Sequence, residues 1–321
     1  MKFRGVEVKN VHKLTEGAIL LAAFTVLLLL TIYVPILGSF LNFVLPLPFI
    51  MFSAKNNMKN IAAFFVAAVI ISFIAGSFMG LAFMLMYGAV GAVIGYMLQK
   101  GKSRTSILIA STLTFIVGLI LFYAGSVFLF KLDIIHEFTQ ALKESTKMSK
   151  DMLKAIGRED QIELLNKQNT NMIKMLETLA PSLLILVSII SVFVIQWICF
   201  PIVKRFGTAV QPWGSFRNLS LPKSLLWYYL IALGAMLLVH PHEGTYLYSV
   251  LINARYILDY FILLQGLAFV FSIFHQRSVA KGLGALVVIL TFIIPIVHYI
   301  ILIVGITDLG FDFRKRFEKK E

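Results

Sequence analysis

Apolar residues fall in long unbroken runs, and the charged residues are gathered between them. The runs cover about residues 16–37, 39–53, 60–77, 79–98, 105–130, 179–203, 224–240, 246–273 and 282–305. Most hold roughly 20 residues, the helix length that crosses a hydrocarbon core of about 30 Å. Lipid offers no water to pair with backbone N–H and C=O groups, so only helices and closed barrels span it. Barrel strands alternate polar and apolar positions, whereas these runs are apolar throughout. The pattern predicts an all-α, polytopic transmembrane helical bundle of about nine spans. The second run is short and contains Pro46 and Pro48. Proline removes a donor and breaks a helix, so a broken or re-entrant segment is expected there.

One long polar stretch interrupts the pattern, residues 131–178. Ile162, Leu165, Asn169, Met172, Leu176 and Leu179 follow 3-4-3-4-3 spacing, a heptad seam. Ile135, Phe138, Leu142, Met152 and Ile156 fit a similar register, with Ser145 and Ser149 as weak positions. Gly157 lies between the halves, where a helix ends. The expectation is an antiparallel helical hairpin that projects outward and continues the fifth and sixth spans, with Pro181 kinking the second arm. The alternative is a pair of amphipathic helices lying on the bilayer surface.

Charge sets the orientation. Of 321 residues, 59% are hydrophobic and 14% charged, with a formal net charge of +13; soluble domains carry about a quarter charged residues. The mean hydropathy is +0.87. The basic residues sit in short loops, as the positive-inside rule requires, and not in a nucleic-acid-binding patch. With the N-terminus in the cytoplasm, the inner segments hold Lys2, Arg4, Lys9 and Lys13; Lys55 and Lys59; Lys100, Lys102 and Arg104; Lys204, Arg205, Arg217 and Lys223; and Arg277 and Lys281. The turns near 38, 78 and 241–245 hold none. Stretch 131–178 has eight Lys/Arg and eight Asp/Glu and falls outside. The tail resists this scheme: nine crossings put Arg314, Lys315, Arg316, Lys319 and Lys320 outside. Either the tail is outside or one segment does not cross, and Pro295 makes the last segment a candidate. The polar start, Met1–Lys13, has no signal-peptide cleavage pattern, so the first span is expected to be retained. The lone Cys199 excludes a disulfide framework.

Small residues recur at four-residue spacing: Ala18 and Ala22, Gly76 and Gly80, and Gly91 and Gly95 beside Gly88. Such spacing lets helices approach closely in lipid. It serves packing within the bundle or, at Ala18 and Ala22, docking of another membrane protein. The eighth span carries the residues most costly to bury, Asn253, Arg255 and Asp259. Arg255 and Asp259 are four apart and pair on one face. They are candidates for a functional site and equally for a structural ion pair. Gln265 and Gly266, with His298 and Tyr299, are candidates to line a shared polar cavity. His240-Pro241-His242-Glu243 reads as an ordinary turn more readily than as a metal site, having no fourth ligand. Gly95–Ser103 only approximates a phosphate-binding loop and follows a helix, not a strand. No nucleophilic triad, zinc motif, paired-carboxylate site or ATPase domain emerges. The chain is expected to be no enzyme, to hold no cofactor or metal, and to draw energy for any transport from partners or an ion gradient.

Three stretches carry a family resemblance. They are Leu45-Pro46-Leu47-Pro48-Phe49-Ile50, the Gly-rich fourth span Tyr87–Tyr96, and the tail from Gly305 through Asp308 and Asp312 to Arg316. Together they resemble the YybS-like family of bacterial membrane proteins. That family is distantly similar to the substrate-binding S components of energy-coupling-factor (ECF) transporters. Such six-helix proteins capture a small solute from outside and dock on a transmembrane T component, coupled to ATPases, through an Ala-x-x-x-Ala face. Ala18–Ala22 matches that pattern. The resemblance implies an S-like unit over residues 1–205 with the hairpin 131–178 inserted, and about three further spans with a basic tail over 206–321. Both additions depart from an ordinary S component. The same superfamily includes a rod-shape protein that carries no solute, so fold alone does not settle function. Two functions stand open: solute binding or translocation with ECF-type partners, and a scaffold or regulator of an envelope process acting through the outward hairpin on other envelope proteins.

Overall fold

A computed structural model describes residues 2–311, with side chains described from Leu14 onward. Every regular element among them is helical. The basic tail residues 312–321 lie outside the described residues. Five described helices are long and apolar enough to cross a membrane, six if one bent pair is counted as a span. Their apolar side chains face outward: in the most apolar windows of Met58–Gln99 and Arg104–Phe130 only 22% of residues are buried. A water-soluble protein would hide such faces, so lipid is the solvent they fit.

The described chain divides into two compact units, Met1–Ile162 with Leu184–Pro212, and Glu163–Leu183 with Trp213–Glu321. The first unit begins with α1 (Lys2–Tyr33). The chain then returns along α1 in two pieces, α2 (Pro35–Leu41) and α3 (Leu47–Lys55). Gly38 lies against the Thr31 backbone, Phe49 meets Phe24 ring to ring at 5.0 Å, and Phe52 packs on Gly17. Lys55 Nζ closes the return 3.1 Å from Glu16 Oε1. The second apolar run is therefore a broken helix that retraces α1 from Thr31 to Glu16. Its joint stays paired: Val44 and Leu45 N–H both donate to Leu41 C=O, and Leu47 N–H donates to Val44 C=O. That satisfies backbone groups that lipid cannot.

Residues 58–99 run as α4 (Met58–Phe83), one π turn (Met84–Gly88) and α5 (Ala89–Gln99). The apparent single helix contains a reversal. Gly76 and Ser77 leave helical geometry, Ser77 at φ +51°. Beyond them Gly80 stands against the Ser72 carbonyl and Leu28, Gly88 against Phe49, and Gly95 against Ser53. The two arms are the third and fourth runs of the sequence.

The helix α6 (Arg104–Phe130) is capped by Ser103 and runs back along the second arm, with Tyr87 and Phe115 ring to ring at 5.6 Å. After a left-handed Lys131, Asp133 caps α7 (Ile134–Ala155), its carboxylate accepting from Ile135 and His136 N–H. Gly157 (φ +71°) ends that arm, and α8 (Asp160–Arg205) continues unbroken for 46 residues, about 69 Å of helix. Its apolar part needs about 20 of those residues to cross lipid, so a long polar arm extends beyond. On that arm Leu179 is buried, Ile162, Leu165, Asn169 and Leu176 are half-buried, and Met172 is exposed. On α7 the covered face is different from the expected one. Thr139, Leu142, Thr146, Ser149 and Leu153 are wholly or partly covered, whereas Ile135, Phe138, Met152 (71%) and Ile156 (67%) are exposed. Both stripes have 3-4 spacing, and the more polar one is covered.

Phe24, Leu28, Leu45, Phe49, Ile50, Ile94, Ile107 and Ile195 form the fully buried centre of the first unit. Gly91 and Gly95 let α3 and α5 meet backbone to backbone. A Cβ at Gly91 would sit 2.5 Å from Pro46 O and 2.7 Å from Phe49 Cβ. One at Gly95 would sit 2.5 Å from Ile50 O and 2.7 Å from Ser53 Cβ.

The second unit holds the arm Glu163–Leu183, a short turn at Phe216–Asn218, and α9 (Ser224–Val239), α10 (Tyr246–Gln276), α11 (Lys281–Ile293) and α12 (Pro295–Phe311). The last apolar run is not one helix. It breaks at Ile294–Pro295, and the halves meet at a bend of 111°.

Because the obstacles at Gly91 and Gly95 include backbone, Gly91→Ala and Gly95→Ala should each destabilise the protein by about 1–3 kcal/mol. Gly234 on α9 faces open space, so Gly234→Ala should be neutral or stabilising by up to about 1 kcal/mol. Unfolding of the three variants in mild detergent, followed by circular dichroism, checks this contrast.

Candidate functional sites

Two groups of polar side chains are built into the apolar helices, one in each unit. In the first, Gln196 on α8 is fully buried, and its Nε2 lies 3.5 Å from Ser111 Oγ on α6. One turn further along α8, Cys199 Sγ lies 3.5 Å from Phe43 O, in the joint of the broken helix α2–α3. Gln196 Oε1, Thr112 Oγ1 and Asn42 Oδ1 are buried with no hydrogen-bond partner among the described residues. Buried polar atoms are nearly always paired, and orphans call for an explanation. These groups are neutral: Gln196 is on α8, Thr112 is next to Ser111 on α6, and Asn42 follows α2 in the joint. Neither Gln196 nor Ser111 nor Thr112 stood out in the sequence. A single amide within the apolar run 182–203 was the available signal.

The small-residue positions separate. Gly91 and Gly95 are packing residues between α3 and α5. Ala18 and Ala22 are both exposed on α1, as are Ile19, Ala23 and Val26. They lie on the outer side of the helix and leave a shallow open face.

In the second unit Asn253 has a structural task. Pro181 cannot donate to the carbonyl four residues earlier. At the next rung, Ser182 N–H donates to Asn253 Oδ1 (2.9 Å), and Asn253 Nδ2 donates to Thr178 O (2.7 Å). Asn253 Nδ2 also reaches Ser249 O at 2.8 Å. The carboxamide is thus inserted into the α8 ladder where Pro181 disturbs it, and it ties α10 to that arm.

Arg255 and Asp259 pair as their spacing implies, Nε to Oδ2 at 3.7 Å. Tyr229 on α9 and His298 on α12 face Asp259. The Tyr256 and Tyr260 hydroxyls lie 3.3 Å apart beside it.

Gln265 and His298 do not share one cavity. Gln265 Nε2 donates to Asp308 Oδ2 (2.6 Å), and Gln265 Oε1 accepts from Leu221 N–H (2.9 Å). His298 and Asp308 are ten residues apart on α12, about 15 Å, so they serve two separate polar contacts. Gly266 and Gly305 stand backbone to backbone between them. Tyr299 is exposed and meets the His298 ring edge to face at 5.9 Å, so it lines no enclosed site. The partners Tyr229 and Asp308 were missed as site residues. Asp308 lies in the tail stretch that carries the family resemblance, whereas Tyr229 is one aromatic among several.

Segment 240–245 is a turn. His240 is left-handed (φ +45°), and Thr245 caps α10. Among the described residues no three His, Cys, Asp or Glu side chains converge as a metal site.

Outward apolar helices, broken segments with internally paired joints and polar groups inside the bundle define a polytopic α-helical membrane protein. The chain belongs to the family described as "Predicted membrane protein (DUF2232)", whose model matches residues 22–309. It is similar to "Uncharacterized protein YybS" of Bacillus subtilis (strain 168), 30% identical over 309 residues, which is 96% of this chain and 99% of that one. No solved structure matches significantly.

Asn253→Leu removes both partners from the Pro181 site and leaves a buried N–H and C=O unpaired. A loss of about 1–3 kcal/mol is expected, with faster amide exchange at Ser182. Unfolding midpoints together with hydrogen exchange of the 178–186 segment test this.

Proposed function

We propose that the chain is a non-enzymatic, solute-binding membrane subunit of the kind found in ECF transporters, dependent on partner proteins for energy. The observation that carries this reading is that Gln196, Thr112 and Asn42 each bury a neutral polar oxygen without a hydrogen-bond partner among the described residues, Asn42 in the joint of the broken helix α2–α3. Broken helices inside a bundle are where membrane transporters place polar binding groups. The exposed Ala18 and Ala22 supply a close-approach face for a T component.

A second reading, a scaffold acting on envelope proteins through the hairpin, draws on the exposed apolar stripe of α7. Tagged protein purified in mild detergent from its host membrane separates the two. A T component with its ATPases should co-purify, and Ala18→Trp with Ala22→Trp should release them. Recovery of envelope proteins without any ATPase would overturn the transport reading.

The topology we propose has the N-terminus in the cytoplasm, eight crossings and one re-entrant pair, α11–α12. A bend of 111° exceeds a right angle, so α12 turns back toward the side from which α11 entered. Gly310 packs near Leu226, and Asp308 is linked through Gln265 to Leu221, both close to Lys223. The end of α12 at Phe311 then returns to the side of Lys223 and Lys281, the arrangement the positive-inside rule asks of a basic segment that follows. Single cysteines at Lys315 and Lys223 should label from the same face of sealed vesicles, and one at Glu243 from the opposite face. Labelling of Lys315→Cys with Glu243→Cys would refute the re-entrant pair.

A further inference from the structure

The junction of α9, α10 and α12 holds a carboxylate with incomplete partners. Asp259 Oδ2 faces Arg255 Nε at 3.7 Å, an ion-pair distance too long for a hydrogen bond. Tyr229, from α9, stands beside it. Oδ1 is buried and has no donor among the described residues. The other groups around it are His298 from α12 and, from α10 itself, Tyr256 and Tyr260. No third metal-ligating side chain among the described residues joins them. The site therefore lacks the ligand count of a metal centre and has one vacant acceptor in an apolar span.

An ionised carboxylate in such surroundings is stable only while its cations stay in place. A proton is the smallest ligand that fits the vacant Oδ1, and it removes the charge that lacks donors. We propose that Asp259 is a proton-binding site within the helix junction, alternating between a carboxylate held by Arg255 and a neutral acid that releases it. The step is COO⁻ + H⁺ → COOH, with no other bond made or broken. His298 lies in the first turn of α12, directly after the break at Ile294–Pro295. Uptake of the proton thus removes a charge that faces the start of α12. This site stands independently of the solute-binding reading of the first unit.

Infrared difference spectroscopy of the full chain in lipid nanodiscs tests the proposal. On acidification the wild type should gain a neutral-carboxyl C=O band that is missing in Asp259→Asn and retained in Asp308→Asn. Arg255→Gln removes the cation that faces the carboxylate, so the same band should appear at higher pH. Identical difference spectra for wild type and Asp259→Asn would overturn the proposal. If Asp259→Asn does not fold, the Arg255→Gln titration decides, and a curve that superimposes on the wild type overturns the proposal.

Discussion

Lipid cannot pair with a free peptide group, and the rest of this structure answers that constraint. Continuous helices satisfy it trivially. Where the described chain departs from continuous helix inside its apolar segments, the freed groups or the close approach are supported by specific residues. The joint between α2 and α3 uses its own 3₁₀-like pairing from Leu41 to Leu47. The reversal at Gly76–Ser77 depends on Gly80 and Gly76, which allow the Ser72 carbonyl and the Ile32 side chain to come close. At Pro181 the Asn253 carboxamide replaces a disturbed rung. At Pro295 the Ile294 carbonyl accepts from His298 N–H at 3.1 Å, so the second half-helix starts cleanly.

These repairs explain why polar side chains sit where they do. Asn253 was a functional candidate because an amide in a transmembrane segment is costly. Its hydrogen bonds are to backbone, and they are the reason that cost is met. Gln265 likewise joins three pieces of chain: its own helix, Leu221 in the preceding loop and Asp308 on α12. Where a polar group has every partner supplied by the fold, its structural role is sufficient to account for it. Where partners are lacking, as at Gln196 Oε1 and Asp259 Oδ1, the fold leaves a valence for something else.

Much of this architecture was legible in residues that act locally. Uniform apolar runs announced helices in lipid. Pro46, Pro48 and Pro295 marked the breaks because proline acts on its own turn. Gly157 marked the tip between α7 and α8 for the same reason. What could not be read depends on partners distant in sequence. The covered face of α7 carries Thr139, Thr146 and Ser149 together with Leu142, so it overlaps the expected apolar stripe only at Leu142 and Ser149, and local spacing alone does not distinguish the two. The pairing of Asp259 with Tyr229 and His298 spans three helices, and no spacing rule connects them. Asp308 belonged to a recognisable tail, yet its burial against Gln265 follows only from the glycine contact that brings α10 and α12 together.

The two units differ in the kind of polarity they enclose. In the first, the unpartnered groups named above are amide and hydroxyl oxygens, which are neutral at any ordinary pH. In the second the unpartnered oxygen belongs to Asp259, a carboxylate paired with Arg255. Neutral acceptors can hold a solute without storing energy, because their hydrogen bonds to ligand and to water are similar in strength. A buried carboxylate differs, since its charged and neutral forms interact very differently with a cation a few ångströms away in a medium of low dielectric constant. A chain that contained only the first kind of site would depend on its partners for every change of state. The Arg255–Asp259 pair, lying next to the broken helix pair α11–α12, gives this one a group of its own that can change charge.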